Sequence, residues 1–190
     1  SLPHTDNGWL KTTGSPAVLG EKNYTTLERV WARPTCEING IYGGYSGEGG
    51  KTIVPSWAGC KVTMRLVPDQ RPDDILEKFT KYVNRVASPA VKVEVGNTVG
   101  AKPALVERDN FMVKAAVKAL EKGFGKKPVF MREGGSIPIV NTFKEELGLE
   151  TLLLGFCQND DNVHSPNEKF SLTDFHQGII TAAHLFAEMK

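Results

Sequence analysis

Short apolar stretches separated by Gly- and Pro-rich breaks predict strands in the first part of the chain. Residues 1–27 are rich in Gly, Pro, Thr and Asn and predict a loop or connecting segment. Residues 34–46 and 52–55 have the aliphatic and aromatic content of strands. Apolar and polar residues then alternate over residues 60–66, which is typical of a half-buried strand.

A helix and a further strand follow these segments. Pro72 stands where the first turn of a helix favours proline, and the large apolar side chains of residues 75–86 fall on one helical face. Valines alternate with charged residues over residues 91–95, which predicts a strand. Residues 34–104 therefore predict an antiparallel α+β layer.

The second part of the chain has helical periodicity interrupted by apolar runs. Apolar residues recur at helical spacing from Met112 to Leu120, and Gly123 and Gly125 are expected to close that helix. Residues 129–131 predict a short strand, and a helix is expected to follow it and to end at Leu147.

The last apolar run and the last helix complete this unit. Residues 152–156 lack alternation, which favours a strand buried on both faces, as in a parallel sheet. The final helix is expected to begin at Ser171 or Thr173 and to turn its apolar residues inward. These residues are Phe175, Ile179, Ala182, Ala183 and Phe186. Residues 108–190 thus predict an α/β unit of helix, strand, helix, strand and helix.

Composition narrows the class of protein. The 23 basic and 22 acidic side chains leave a net charge of +1, which gives no support to a nucleic-acid or membrane partner. No apolar run approaches the roughly 20 residues of a membrane span, and no signal peptide is visible. Because the sequence starts at Ser1, we expect a processed or excised piece of a longer protein.

Three cysteines are too widely spaced for a zinc finger or a disulfide framework. They are Cys36, Cys60 and Cys157, each in apolar surroundings. The pattern predicts free, buried thiols in a reducing compartment, and therefore a cytoplasmic protein.

The glycine-rich stretch from Gly44 to Thr52 invites comparison with a phosphate-binding loop. Tyr45 stands where that motif requires its first glycine, and the residues after Thr52 are extended rather than helical. We therefore interpret the stretch as a hairpin connection, with nucleotide binding as the weaker alternative.

Two polar segments, each following an apolar run, are the candidate chemistry. Residues 133–138 combine two glycines, a possible N-cap at Ser136 and a proline, so that free backbone N–H groups could attract a carboxylate or an oxyanion. An ordinary strand-to-helix turn explains the same residues. If both segments follow parallel strands, they lie at the sheet edge where such folds bind ligands.

His164, in the second polar segment, is a candidate metal ligand. A zinc site requires three or four ligands, and the other histidines, His4, His176 and His184, form no zinc-binding motif. A lone surface histidine is the alternative. The residues alone do not assemble a complete metal site.

Together the segments resemble the C-terminal part of the zinc metallopeptidases that include carnosine dipeptidase, cytosolic non-specific dipeptidase, aminoacylase and carboxypeptidase G. The resemblance covers residues 9–190 and is greatest to the dipeptidase-like branch. The matching segments, in chain order, are Trp31-Ala32-Arg33-Pro34-Thr35, Gly50-Lys51-Thr52-Ile53-Val54-Pro55, Arg65-Leu66-Val67-Pro68-Asp69, Arg132-Glu133-Gly134-Gly135-Ser136-Ile137-Pro138 and Asp160-Asp161-Asn162-Val163-His164-Ser165-Pro166-Asn167-Glu168.

The resemblance implies a role for each of six residues. His164 matches a metal ligand, and Arg65 matches an arginine that binds the substrate carboxylate. Thr52 matches a threonine that reaches the active site of a neighbouring subunit. The remaining matches, to a loop that lines the substrate pocket, are Glu133, Gly135 and Ser136.

The resemblance also implies a domain organisation. Residues 1–30 would be a linker, 31–107 an antiparallel sheet-plus-helix lid domain that dimerises, and 108–190 the C-terminal part of a mainly parallel α/β catalytic domain. The first strand and helix of the lid have no counterpart in this sequence. A histidine found in some members is replaced by Val99, which bears on substrate contacts.

The resemblance implies two Zn²⁺ ions as cofactors, with Mn²⁺ as an alternative. It also implies a peptide or an amino-acid amide as the substrate. The family's other metal ligands and its glutamate general base have no counterpart here. We therefore expect the chain to be the C-terminal portion of a dinuclear metallopeptidase and to be inactive alone. The alternative is a non-catalytic folding and dimerisation module that forms a homodimer through its sheet.

Overall fold

The computed structural model describes residues 4–133 and 137–190, which pack as two units. The first comprises Ser1–Pro103 with Met131–Pro138, and the second Ala104–Phe130 with Ile139–Lys190. Each unit is described by itself. The functional domain boundaries stay a prediction, because these units follow packing alone.

One short helix lies within the segment 1–27, for which the sequence predicted a loop, and a second begins at the end of that segment. Helix α1 spans Asp6–Thr13, and the side chain of Thr5 accepts a hydrogen bond from the Gly8 N–H at its start. Helix α2 spans Thr26–Trp31 and begins with a capping box formed by Thr25 and Glu28. The loop prediction was wrong here, because threonine caps satisfy helix N–H groups that would otherwise lack partners.

Arg33 fastens the end of α2 to the connection before it. Its guanidinium donates to both carboxylate oxygens of Glu21, at 2.7 and 2.8 Å, and lies 4.4 Å from the ring centre of Tyr24. The hydrogen bond from Arg33 holds the pKa of Glu21 below its ordinary value. These contacts hold the residues just before the first strand in place.

The sheet of the first unit is one antiparallel pair of strands. Strand β1 spans Glu37–Gly43 and β2 spans Ala58–Thr63, with an irregularity in the register between Ile38 and Gly40. Gly43, at φ +139°, faces Ala58 so closely that a Cβ would lie 2.8 Å from the Ala58 Cα. Residues 44–57 connect the two strands, which confirms that the glycine-rich stretch is a hairpin connection.

Helix α3 spans Pro72–Val86 and begins, as predicted, with proline in its first turn. The strands predicted at 52–55 and 91–95 are not formed. A strand requires a neighbour for its ladder of hydrogen bonds, and in the described residues neither segment has one. Strand content was therefore overestimated where a partner was assumed.

Three helices build the second unit, and its core lies between two of them. Helix α4 spans Phe111–Phe124, α5 spans Ile139–Leu147 and α6 spans Leu172–Glu188. The buried side chains are small or polar: Val113, Ala115, Ala116, Ala119, Val140, Asp161 and Thr181. Small residues allow α4 and α6 to approach closely.

The packing face of α6 differs from the predicted one. Thr181 is fully buried, whereas Phe175, Ile179 and Phe186 are at least half exposed. The helix packs on α4 through its small and polar side, because Gly123 of α4 lies directly against Thr181. Gly123 is thus a packing residue inside α4, and Gly125 alone closes the helix, at φ +67°.

The strands predicted at 129–131 and 152–156 are also absent. No ladder partner for either segment exists in the described ranges, so the only sheet there is β1 with β2. The fold is consistent with the α+β class, and the predicted parallel sheet is not formed by these residues.

The prediction of buried thiols was wrong. Cys36, Cys60 and Cys157 are free, as predicted, but all three are exposed. Apolar neighbours in sequence do not by themselves bury a cysteine, since Cys60 is exposed although its strand β2 pairs with β1. Across the described residues, no helix is both long and apolar enough to cross a membrane.

Candidate functional site

His164 lies in a loop of residues 157–170, called here the His164 loop, whose two ends are fixed to the helices of the second unit. Before the loop, the ring of Phe156 stacks on Phe124 of α4 with centroids 5.8 Å apart and planes inclined by 7°. After it, Ser171 caps α6 by accepting a hydrogen bond from the Asp174 N–H at 3.2 Å. The loop is thus held between α4 and α6.

The base of the His164 loop is closed by hydrogen bonds to Asp161. The Lys169 N–H donates to the Asp161 carbonyl at 2.9 Å, and the Gln158 N–H donates to Asp161 Oδ2 at 2.7 Å. Lys169 Nζ lies 3.1 Å from Asp160 Oδ2 and 3.4 Å from Asp161 Oδ1. Residues 162–168 therefore form the outer part of a loop whose two ends are joined by these hydrogen bonds.

The ion pair between Lys169 and Asp160 shifts the pKa values of both groups. The hydrogen bond from Lys169 lowers the pKa of Asp160, and the bond to Asp160, followed by that to Asp161, raises the pKa of Lys169. A carboxyl with a lowered pKa stabilises the fold above its unfolded pKa, and an amine with a raised pKa stabilises it below its unfolded pKa. Asp160 and Lys169 are accordingly both charged at neutral pH.

The backbone of the loop is left-handed at three residues other than glycine. Asn162, His164 and Asn167 have φ values of 53°, 62° and 60°. Asparagine tolerates this region well, whereas a histidine there is uncommon. The Ser165 N–H donates to the Asn162 carbonyl at 2.9 Å, and the His164 side chain is exposed. The imidazole is therefore available to a ligand from outside the loop.

Arg65 lies just beyond β2 and is held through its backbone by Thr35. The Thr35 N–H donates to the Arg65 carbonyl at 3.1 Å, and the Arg65 N–H donates to Thr35 Oγ1 at 3.3 Å. Thr35 Oγ1 in turn donates to Glu37 Oε2 at 2.7 Å. The exposed guanidinium of Arg65 thus stands on a backbone fixed from two sides.

The other predicted site residues fall in the first unit or outside the described residues. Thr52 lies exposed in the hairpin connection, and Glu133 lies exposed in Met131–Pro138. Gly135 and Ser136 lie outside the described residues. Thr52, Arg65 and Glu133 share a unit, whereas His164 belongs to the other, so the roles of all six remain predictions.

The donor set fits one ligand position and does not fit a complete metal centre. Imidazole is a common ligand of zinc and manganese, and His164 offers one. Among residues 4–133 and 137–190, no three His, Cys, Asp or Glu side chains come together in a way that could hold a metal ion. Any metal bound at His164 therefore needs ligands beyond the described residues.

Sequence reasoning did not single out Asp161 or Thr35. Asp161 is the second acid of a polar run, and nothing in the run distinguishes it from exposed Asp160. Thr35 was noticed only as part of a matching segment. Both act through backbone hydrogen bonds, which leave no periodic signal in a sequence.

Comparison with known proteins matches the first part of the chain, slightly less than half of it, to a single domain type. Residues 2–91 match the peptidase dimerisation domain of the M20 peptidases. The match includes β1, β2, α3 and Arg65. It ends before the His164 loop, so the second unit depends on comparison with individual proteins.

Three relatives match nearly the whole chain. Cys-Gly metallodipeptidase DUG1 of Candida albicans is 36% identical over 89% of this chain and 36% of its own length. The human Beta-Ala-His dipeptidase is 31% identical over 86% of this chain and 33% of its own length. The match to the crystal structure of human carnosine dipeptidase 1 is 27% identical, covers 100% of this chain and 40% of that chain, and has a TM-score of 0.81. The chain thus spans little more than a third of the length of these metallodipeptidases.

Proposed function

We propose, on the premise that this chain belongs to the M20 metallopeptidase family, that it forms part of a dinuclear metallopeptidase that hydrolyses dipeptides or related amides in the cytoplasm. The observation that carries the proposal is the similarity to metallodipeptidases over 89% and 86% of the chain, together with a structural match over 100% of it that includes the His164 loop. The proposal treats this chain as one part of the active protein, because the relatives are much longer.

The proposed role of His164 is to bind one metal ion through its imidazole. When bound, the divalent ions of such a site would polarise the carbonyl group of the substrate and would provide a hydroxide nucleophile. Zinc is our first choice and manganese the alternative, because one histidine does not select between them. The remaining ligands and the general base would come from protein outside the residues described.

The residues of the first unit would bind and orient the substrate. Arg65 would bind the substrate carboxylate, for which a planar guanidinium offers two parallel hydrogen bonds. Glu133, Gly135 and Ser136 would line the pocket beside it. Thr52 would contact substrate in the active site of a neighbouring subunit, which gives the hairpin connection a role in the homodimer.

Arg65→Lys tests the proposal in the complete gene product. Lysine keeps the charge and loses the bidentate geometry, so we expect the KM for dipeptides to rise about tenfold with little change in kcat. Dipeptide amides, which lack the terminal carboxylate, should be hydrolysed equally by both proteins. Steady-state kinetics on matched dipeptides and amides measure the difference.

The control for Arg65→Lys is Arg71→Lys, at an exposed arginine that lies 4.0 Å from Asp74. It should leave both constants unchanged. Equal KM values for Arg65→Lys and the unsubstituted protein would contradict the role of Arg65. Absence of any dipeptide or amide hydrolysis by the complete gene product would contradict the proposed function itself.

The second candidate function is homodimerisation through the sheet, and exposed apolar residues on the strands favour it. Ile38 and Ile41 of β1 are 62% and 81% exposed. In a two-stranded sheet both strands are edges, and each edge has backbone groups open to pairing with another chain. A dimer would satisfy these groups and cover the isoleucines.

Ile41→Lys should weaken the dimer, because a charge on an edge strand opposes pairing. Sedimentation equilibrium should show a dissociation constant at least about tenfold higher, which corresponds to roughly 1.4 kcal/mol. Leu19→Lys, at an aliphatic residue that is 96% exposed and outside both strands, is the matched control. A monomer at every concentration of the unsubstituted protein would rule the dimer out.

A further inference from the structure

Asp161 is the one buried charged side chain in the described part of the protein, at 1% exposed. Burial of a carboxylate is costly unless hydrogen bonds and an opposite charge compensate it. Both of its oxygens have such partners, since Oδ2 accepts from the Gln158 N–H at 2.7 Å and Oδ1 lies 3.4 Å from Lys169 Nζ. This arrangement places an ion pair between the buried Asp161 and the half-exposed Lys169 at the base of residues 162–168.

The backbone of Asp161 closes the same loop. Its carbonyl accepts from the Lys169 N–H at 2.9 Å, and its own N–H donates to the Gln158 carbonyl at 3.2 Å. Left-handed backbone at residues other than glycine is sparsely populated and persists only when the surroundings enforce it. Asp161 is therefore the point from which the conformation at His164, with φ of 62°, is enforced.

A second set of hydrogen bonds ties this point to α6. Gln158 Nε2 donates to Asp174 Oδ2 at 2.6 Å, and the Asp174 N–H donates to Ser171 Oγ at 3.2 Å in the N-terminal cap of the helix. Since α6 packs on α4, a continuous set of contacts runs from the helical core through Gln158 and Asp161 to the loop. The loop is thereby built on rigid elements.

We infer that Asp161 is a positioning residue that holds the His164 loop in the one conformation that presents the imidazole to a metal ion. The inference rests on the proposed role of His164 as a ligand. It assigns Asp161 no contact with metal or substrate. Its effect reaches the ligand only through the closure of residues 162–168.

Asp161→Asn is the test, with the adjacent Asp160→Asn as matched control. Asparagine keeps the volume and removes the buried charge that pairs with Lys169, whereas Asp160, which also pairs with Lys169, is 74% exposed, so its replacement leaves the buried carboxylate in place. Hydrogen exchange followed by mass spectrometry on the complete gene product should show faster exchange in residues 162–169 for Asp161→Asn only. The affinity for Zn²⁺ should fall about tenfold. Loss of a hydrogen bond that orients a metal ligand typically lowers metal affinity by about 10–100-fold, and we expect the lower end of this range.

Rescue of activity by added metal distinguishes a positioning role from general destabilisation of the fold. Saturating Zn²⁺ should restore kcat to Asp161→Asn, with an unchanged KM, and should not restore it to His164→Asn. Exchange and Zn²⁺ affinity equal to those of Asp160→Asn would overturn the inference. An unchanged Zn²⁺ affinity in His164→Asn would instead overturn the proposed function, so the two failures are distinguishable.

A further variant keeps the inference testable if Asp161→Asn does not fold. Lys169→Met removes the ion pair and leaves the backbone hydrogen bond between Lys169 and Asp161 in place. We expect the same faster exchange and a Zn²⁺ affinity lowered about threefold, a part of the full effect. An unchanged exchange rate and affinity in Lys169→Met would overturn the inference.

Discussion

Gly123→Ala should destabilise the protein, although the same change usually stabilises a helix. Gly123 lies inside α4, where alanine is favoured over glycine by about 1 kcal/mol. A Cβ at this position would overlap Thr181 Oγ1 and lie 3.1 Å from the Gln177 carbonyl oxygen. Thr181 is fully buried and donates to that carbonyl at 2.8 Å, so it has no room to move. Overpacking of about 3 kcal/mol would leave a net loss of about 2 kcal/mol.

Gly178→Ala is the matched control, since Gly178 also lies inside a helix of the same unit. A Cβ there would lie 3.7 Å from the ring of Phe156, an ordinary contact distance. We therefore expect Gly178→Ala to stabilise by up to about 1 kcal/mol. Urea unfolding followed by circular dichroism measures both changes. Stabilisation by Gly123→Ala similar to that of Gly178→Ala would contradict the close packing of α4 on α6.

Removal of the obstructing hydroxyl gives a further check on the mechanism. Gly123→Ala combined with Thr181→Ala should be more stable than the sum of the two single changes predicts, because the overlap is gone. Strict additivity would show that the cost at Gly123 has another origin.

Local signals in the sequence located the helices well. Pro72 in the first turn of α3, Gly125 after α4 and Ser171 before α6 all mark helix ends, and the structure confirms each. These signals act within a few residues, so the sequence carries them directly. The capping residues Thr5 and Thr25 carry the same information, and the loop prediction failed to use it.

Strands and packing faces could not be located in the same way, because they depend on a partner elsewhere. Residues 152–156 have the composition of a buried strand, yet no described segment pairs with them. Similarly, the apolar face of α6 predicts an inward side, whereas the close approach of Gly123 sets which side packs. For residues 152–156 and for α6, the sequence shows which residues are apolar enough to be buried, and it does not show which other segment would pack against them.

In the candidate site, too, the sequence predicted the residues that carry the chemistry and did not predict the residues that hold them in place. His164 and Arg65 were predicted from motifs whose residue types carry the chemistry, and their roles stay predictions. The supports of these residues, Asp161 and Thr35, became visible only in three dimensions, because each acts through hydrogen bonds with the backbone of another residue, which leave no periodic signal in the sequence.

His164→Asn should abolish the activity of the complete gene product. Asparagine tolerates the left-handed backbone at position 164, as Asn162 and Asn167 do in the same loop, so the fold should persist. The loss of a ligand should exceed the roughly 10–100-fold effect of changes that only orient a ligand. Dipeptide hydrolysis at saturating Zn²⁺ should therefore fall by more than about a hundredfold.

His176→Asn is the matched control for this change. His176 lies exposed on α6, 5.7 Å from the ring of Phe175, and neither the resemblance nor the geometry assigns it a metal. Its substitution should leave hydrolysis unchanged. Equal losses in the two variants would show that the effect at His164 is not specific to that imidazole.

The metal content of the complete gene product and of its His164→Asn variant tests most directly whether this chain contributes a ligand to a two-metal site. After equilibrium dialysis against Zn²⁺, elemental analysis should find about two ions per chain in the unsubstituted protein, as in two-metal hydrolytic sites, and about one in the variant. An unchanged metal content in His164→Asn, together with unchanged hydrolysis of dipeptides, would contradict the account.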